Sequence, residues 1–196
     1  MTMNTKRRLR VILIALLCVI SVWQFAAAAY IHAKAELAQW LIEEAWQKTK
    51  HNAEPVAPWP WADTWPVARL MVPRLAVDQM VLAGASGRNL AFGPTWVQAS
   101  AAPTENGRTM IAGHRDTHFG FLQQLRADDE ILLEDKTAIT RYRVRDTRVV
   151  DSRQHEMVLS EAGRQLLLVT CYPFDAVVAG GDLRYLVIAE ATPLIQ

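Results

Sequence analysis

Residues 164–174 read RQLLLVTCYPF. The apolar run Leu166 to Val169 passes through Thr170 into Cys171, and Pro173 closes it two residues later. A run this short, ended by a residue that cannot donate to a ladder, has the length and composition of a buried strand. The same texture surrounds it from Val67 onward. ARLMVPRL (68–75), VDQMVLAG (77–84), RTMIAG (108–113), EILLED (130–135), ITRYRVRDTRVVD (139–151) and RYLVIAE (184–190) are short apolar pieces set between turn residues. Between Arg141 and Arg145 the pattern alternates, with Tyr142 and Val144 on one face and the arginines on the other. One short helix is predicted around FGFLQQL (119–125), where Phe119, Leu122 and Leu125 stand three apart. Many short strands with little helix predict a mainly β body, either a closed antiparallel barrel or a sandwich.

Upstream the pattern changes twice. HNAEPVAPWPWADTWP (51–66) sets Pro55, Pro58, Pro60 and Pro66 among Trp59, Trp61 and Trp65, which prevents a helix and favours an extended strap or linker. Before it, IHAKAELAQWLIEEAWQKTK (31–50) reads as helix, with Ala33, Leu37, Leu41 and Ala45 on one row and Trp40 beside them. Before that, VILIALLCVISVWQFAAAAY (11–30) carries no charge and follows Lys6, Arg7, Arg8 and Arg10. Twenty residues of helix cover about 30 Å, the thickness of a bilayer's hydrocarbon core. Basic residues on the N-terminal flank predict a single-pass anchor of the cytoplasmic membrane, its N-terminus in the cytoplasm and the rest exported. Ala26–Ala29 could serve as a signal-peptidase site, but the run exceeds the about 7–15 apolar residues of a signal peptide. The expected organisation is therefore 1–10 cytoplasmic, 11–30 anchor, 31–66 helix and connector, and 67–196 the β body. A formal net charge of +1 offers no basic surface for nucleic acid.

Cys18 lies inside the predicted anchor, so Cys171 is the single thiol of the exported part. Exported proteins usually pair their cysteines or do without them. Two other polar residues stand out at strand ends: His114 in IAGHRDTHFG (111–120) and Arg184, 13 residues after Cys171 and beyond a loop holding Gly180 and Gly181. A thiolate attacks carbonyls, an imidazole moves its proton, and a fixed guanidinium stabilises the oxyanion that forms. Together they describe acyl transfer through a thioester. Singly, each has an ordinary reading: a small buried hydrophobe, a loop histidine, a solvated strand-end charge.

These same residues resemble the sortases, cysteine transpeptidases that attach proteins to cell surfaces. IAGHR followed by FGFLQQL resembles the family's histidine motif and its short helix. LLVTC (167–171) is similar to the family's TLxTC signature, with Leu167, expected to face away from the active end, in place of the first threonine. DLRYLVIAE (182–190) resembles the strand that opens with the essential arginine. RLMVPRL (69–75) and the segment 90–115 extend the resemblance over two thirds of the chain, and the GHRDTHF wording (113–119) is most similar to the sortases of Gram-negative proteobacteria. Asp128 departs from the family, which prefers glycine at that turn.

The resemblance implies an eight-stranded β-barrel with its site at one end. It implies Cys171 as nucleophile on an LPxTG-like sorting signal, His114 as general acid and base, and Arg184 as stabiliser of the oxyanion. Thr170 would line the site, and Asp116 and His118 would order the histidine loop. The implied partners are one dedicated exported protein bearing the sorting signal and an amine acceptor, with no cofactor. His114, Asp116 and His118 alternate and read also as metal ligands on one face of a strand, although a metal there would occupy the base. A thiol peptidase, a non-catalytic β-barrel binding module and a metal-dependent hydrolase are the competing functions.

Overall fold

Eight strands close on one another. In the computed structural model, which describes residues 5–52, 54–103, 105–154, 163–178 and 180–192, they are β1 (Pro66–Val72), β2 (Val77–Ala83), β3 (Thr95–Trp96), β4 (Gly107–Ala112), β5 (Glu130–Glu134), β6 (Ile139–Asp151), β7 (Arg164–Cys171) and β8 (Leu183–Ala191). Their spatial order is β1-β2-β3-β4-β7-β8-β6-β5, and β5 pairs back onto β1 to close the barrel. The interior is filled by alternating side chains, among them Leu70, Ile111, Leu133, Tyr142, Leu166, Leu168 and Val187. Along β6, Thr140, Tyr142 and Val144 point inward between exposed neighbours, as their alternation predicted. The short helix is a 3₁₀ turn, Gly120–Gln124. Its three-residue period explains why Phe119, Leu122 and Leu125 stand three apart and are all buried.

The barrel is not wholly antiparallel, as the strand pattern alone had predicted. β4 runs parallel to β7 and β2 parallel to β3. Between β4 and β7 the chain makes β5 and β6 and re-enters from the same end, and such a crossover leaves the two strands parallel. β3, with two residues, is too short to carry a periodic signal. Asp128, where the family prefers glycine, has a φ of 67° in the left-handed region that glycine adopts without penalty.

The chain divides into two compact units, Met1–Trp40 and Leu41–Gln196. One helix, α1 (Thr5–His51), contributes to both. Residues 1–4 of the expected cytoplasmic segment lie outside the described residues. In the first unit α1 presents Ile12, Leu16, Val19, Trp23 and other large apolar side chains on its surface. Its best window has a mean hydropathy of 2.5 and none of it is buried, so the helix is long and apolar enough to cross a membrane.

In the second unit the end of α1 buries Ile42, Ala45, Trp46 and Thr49, the spacing of one helical face. Of the row read from the sequence, Ala45 belongs to that face; a four-residue spacing alone does not choose among the sides of this helix. Lys50 fastens the helix end to Glu134 of β5 at 2.6 Å. The Pro/Trp strap follows and is tied down: Thr49 Oγ1 accepts from the Val56 amide at 3.0 Å, and Thr64 Oγ1 donates to the Ala83 carbonyl at 2.7 Å. Trp46 has no exposed surface. Trp46→Ala is expected to cost about 3–5 kcal/mol in denaturant unfolding of the detergent-solubilised chain. A loss below about 1 kcal/mol would show that the helix end adds little to the core.

Candidate active site

Cys171 ends β7 and Arg184 is the second residue of β8, and the antiparallel register sets them directly opposite. Opposed residues project from the same face, so thiol and guanidinium share one edge of the barrel. Thr170, one residue earlier, points the other way and is 2% exposed, while Cys171 is half-buried. Alternation also places Leu167 on the Cys171 face. There it joins Met110, Val169 and Leu186 in a small apolar cluster, which corrects the expectation that it turns away.

His114 arrives from the neighbouring strand. The parallel register pairs Ala112 with Val169. Beyond it the Gly113 amide donates to the Val169 carbonyl at 3.0 Å, and the Gly113 carbonyl accepts from Thr170 Oγ1 at 2.7 Å. Both bonds hold the residue before His114 against the residues before Cys171. Gly113 is required for space. A Cβ there would lie 2.6 Å from Cγ of the buried Phe119 ring. The imidazole itself is exposed. A half-buried thiol, a solvent-facing imidazole and a guanidinium at adjoining strand ends have the chemistry for a nucleophile, a proton carrier and an oxyanion donor.

A Sortase-domain family model matches residues 70–192, more than half of the chain. The chain belongs to the sortase family. It is 29% identical over 119 residues to Sortase D of Bacillus subtilis, covering 60% of each protein, and 27% identical over 109 residues to Sortase A of Listeria monocytogenes, covering 54% of this chain and 49% of that one. The chain thus spans about half to three fifths of the length of the curated relatives it matches. Among solved structures, the Clostridium perfringens Sortase D5 transpeptidase superposes with a TM-score of 0.65 at 20% identity, over 81% of this chain and 99% of that one. Listeria monocytogenes sortase A superposes with a TM-score of 0.58 at 23% identity, over 65% and 88%. At these identities the structural likeness establishes the shared fold, an eight-stranded closed barrel.

Within this sortase fold Arg184 is held by its neighbours. Its Nη1 donates to the Gly181 carbonyl at 2.7 Å and to that of Leu183 at 2.9 Å. Among the described residues these are the bonds its guanidinium makes, so donors are left for a ligand. Tyr172, Phe174 and Tyr185 gather beside it, Phe174 meeting Tyr185 edge-on at 5.1 Å and Tyr172 stacking on Tyr185 at 6.2 Å. Tyr172, Pro173, Phe174, Asp175 and Gln123 line a shallow depression of about 290 Å³ next to the thiol in the chain.

Asp116 and His118 stay in the histidine loop, which is a series of turns and not the strand face on which their alternation would align them with His114. The Asp116 carboxylate accepts from Arg115 Nε at 2.7 Å, and that guanidinium holds its pKa below the usual carboxylate range. His118 is partly buried, and burial lowers its pKa against a smaller opposing influence of the Ala91 backbone. Among the described residues these side chains and His114 do not converge as a ligand set.

Arg115 is the site residue that sequence reasoning missed. Its side chain is 3% exposed and reaches across to the loop that leaves Cys171. A sequence shows an arginine next to a histidine. It does not show that the guanidinium is folded under the loop, and charged side chains are rarely buried.

Proposed function

We propose that this chain is a membrane-anchored cysteine transpeptidase of the Gram-negative proteobacterial class of sortases. It cleaves an LPxTG-like sorting signal and passes the acyl group to an amine. The observation that carries this reading is the cross-strand pairing of Cys171 with Arg184, with Gly113 tethered beside them just before His114. Cys171 Sγ attacks the carbonyl carbon of the scissile Thr–Gly amide, and the guanidinium of Arg184 stabilises the negative oxygen of the tetrahedral intermediate. His114 takes up the thiol proton and delivers it to the leaving nitrogen as the C–N bond breaks, which leaves a thioester. An amine then attacks that thioester, the C–S bond breaks, and the proton returns through His114 to the sulfur. Thr170, Asp116 and His118 support the histidine loop.

The anchor is residues 11–30, 1–10 stay in the cytoplasm, 31–66 form the connector, and 67–196 are the catalytic barrel in the periplasm. An uncharged run behind Lys6, Arg7, Arg8 and Arg10 supports that topology. The GHRDTHF wording supports the proteobacterial class, although the relatives named above come from Gram-positive genera. The partner is one dedicated exported protein carrying the sorting signal.

Incubation of the detergent-solubilised full chain with an LPxTG peptide and rising concentrations of a primary amine tests the transfer step. The amide product should overtake the free acid as amine increases. Free acid alone, even at high amine, would leave a thiol peptidase instead.

A further inference from the structure

We propose that Arg115 is a positioning residue that fixes His114 relative to Cys171 by clamping the histidine loop to the loop leaving the nucleophile. This inference rests on the roles given to Cys171 and His114 above. Nη1 of Arg115 donates to the Pro173 carbonyl at 2.5 Å, and Nη2 donates to the Ala176 carbonyl at 2.9 Å. Nε and Nη2 together grip the Asp116 carboxylate, at 2.7 and 3.2 Å. One guanidinium thus joins the residue after His114 to carbonyls two and five residues after Cys171.

The alternative tethers do not reach as far. The Gly113–Val169 and Thr170–Gly113 bonds hold residue 113, and the Phe119 and Thr117 amides that bond the His114 carbonyl are local turn contacts. Gln79 of β2 donates to the His118 carbonyl at 3.0 Å and holds the far end of the loop, while the tie from His114–His118 to the side of Cys171 runs through Arg115. The same loop runs on to Gly181, whose carbonyl holds Arg184. A clamp at Pro173 and Ala176 braces the first residues after Cys171. A buried charge is costly unless its hydrogen bonds are filled, and here two carbonyls and a carboxylate fill them. Lysine cannot copy this arrangement, because its ammonium is a single point on a flexible stem while the arginine fork serves three acceptors from one plane.

The consequence is specific to proton transfer. Breaking an amide needs a proton delivered to the leaving nitrogen, so it depends on where the imidazole sits. Acylation by an activated aryl ester still needs the thiol proton removed, but it expels a stable phenolate, so it depends on the imidazole for one proton transfer where the amide depends on it for two. Arg115→Lys in the full-length detergent-solubilised chain should lower kcat for the sorting peptide about 100-fold with KM within about 3-fold. Burst acylation by the aryl ester should fall at least about 5-fold less than that, and unfolding should remain cooperative.

Wild-type kcat on the peptide, an equal loss on ester and amide, or loss of cooperative unfolding would each overturn the inference, the last by making Arg115 a folding residue. Cys171→Ala separates the two levels of the reading. An inert Cys171→Ala beside an unimpaired Arg115→Lys would overturn the clamp alone. Undiminished peptide cleavage by Cys171→Ala would remove the nucleophile's role, and the clamp's with it.

Discussion

Cys171→Ala should reduce cleavage of a sorting peptide to background, a fall of about 10⁴-fold or more, with the barrel intact. The size of the effect follows from covalent chemistry. With the sulfur gone nothing at this edge forms the thioester, and the oxyanion donors alone retain only a small residual rate. Stability should barely move, because Cys171 ends its strand half-buried and Leu166 and Leu168 hold β7 in the core without it. Peptide cleavage by mass spectrometry, alongside circular dichroism of the variant, checks both halves. Cleavage persisting within about 10-fold of wild type would mean that the reaction does not pass through this sulfur.

Arg184→Ala should cost about 10²–10³-fold in kcat, the loss seen when one oxyanion donor is removed. Its geometry explains why the loss belongs to kcat more than to KM. The side chain is oriented before any ligand arrives, by the carbonyls of Gly181 and Leu183, and it stands opposite the nucleophile across a fixed ladder. A donor fixed in advance favours the charge that develops during attack over the neutral carbonyl that precedes it. Arg184→Lys should recover part of the rate, since charge is retained while the planar fork is lost. A change confined to KM would assign Arg184 to substrate binding and remove it from the chemical step.

Much of this fold was legible in single strands, and little of it in their assembly. Tyr142 and Val144 alternate with arginines because one face of β6 meets the core, and Leu166 to Val169 read as a continuous run because β7 is covered on both faces. The parallel pairing of β4 with β7 left no local trace, although it is what carries His114 to the nucleophile's strand. β3 was invisible because two residues have no period. The motif does not show that Gly113 is needed for clearance beneath Phe119. His114, Cys171 and Arg184 could be named from their motifs. Arg115 could not be assigned a role, because its importance lies in acceptors about sixty residues away that only the closed barrel brings near. The buried face of the helix end was not legible for a related reason. Ile42, Ala45, Trp46 and Thr49 are selected by what they pack against, and several other apolar rows were available on the same helix.

Intact-mass analysis of the full chain, quenched in acid shortly after mixing with an LPxTG peptide, tests the covalent step most directly. The account predicts a mass increase equal to the peptide portion ending at threonine, located on the peptide that contains Cys171 and released by hydroxylamine as a thioester should be. An adduct on another residue, or turnover of the peptide with Cys171 unmodified throughout, would contradict it.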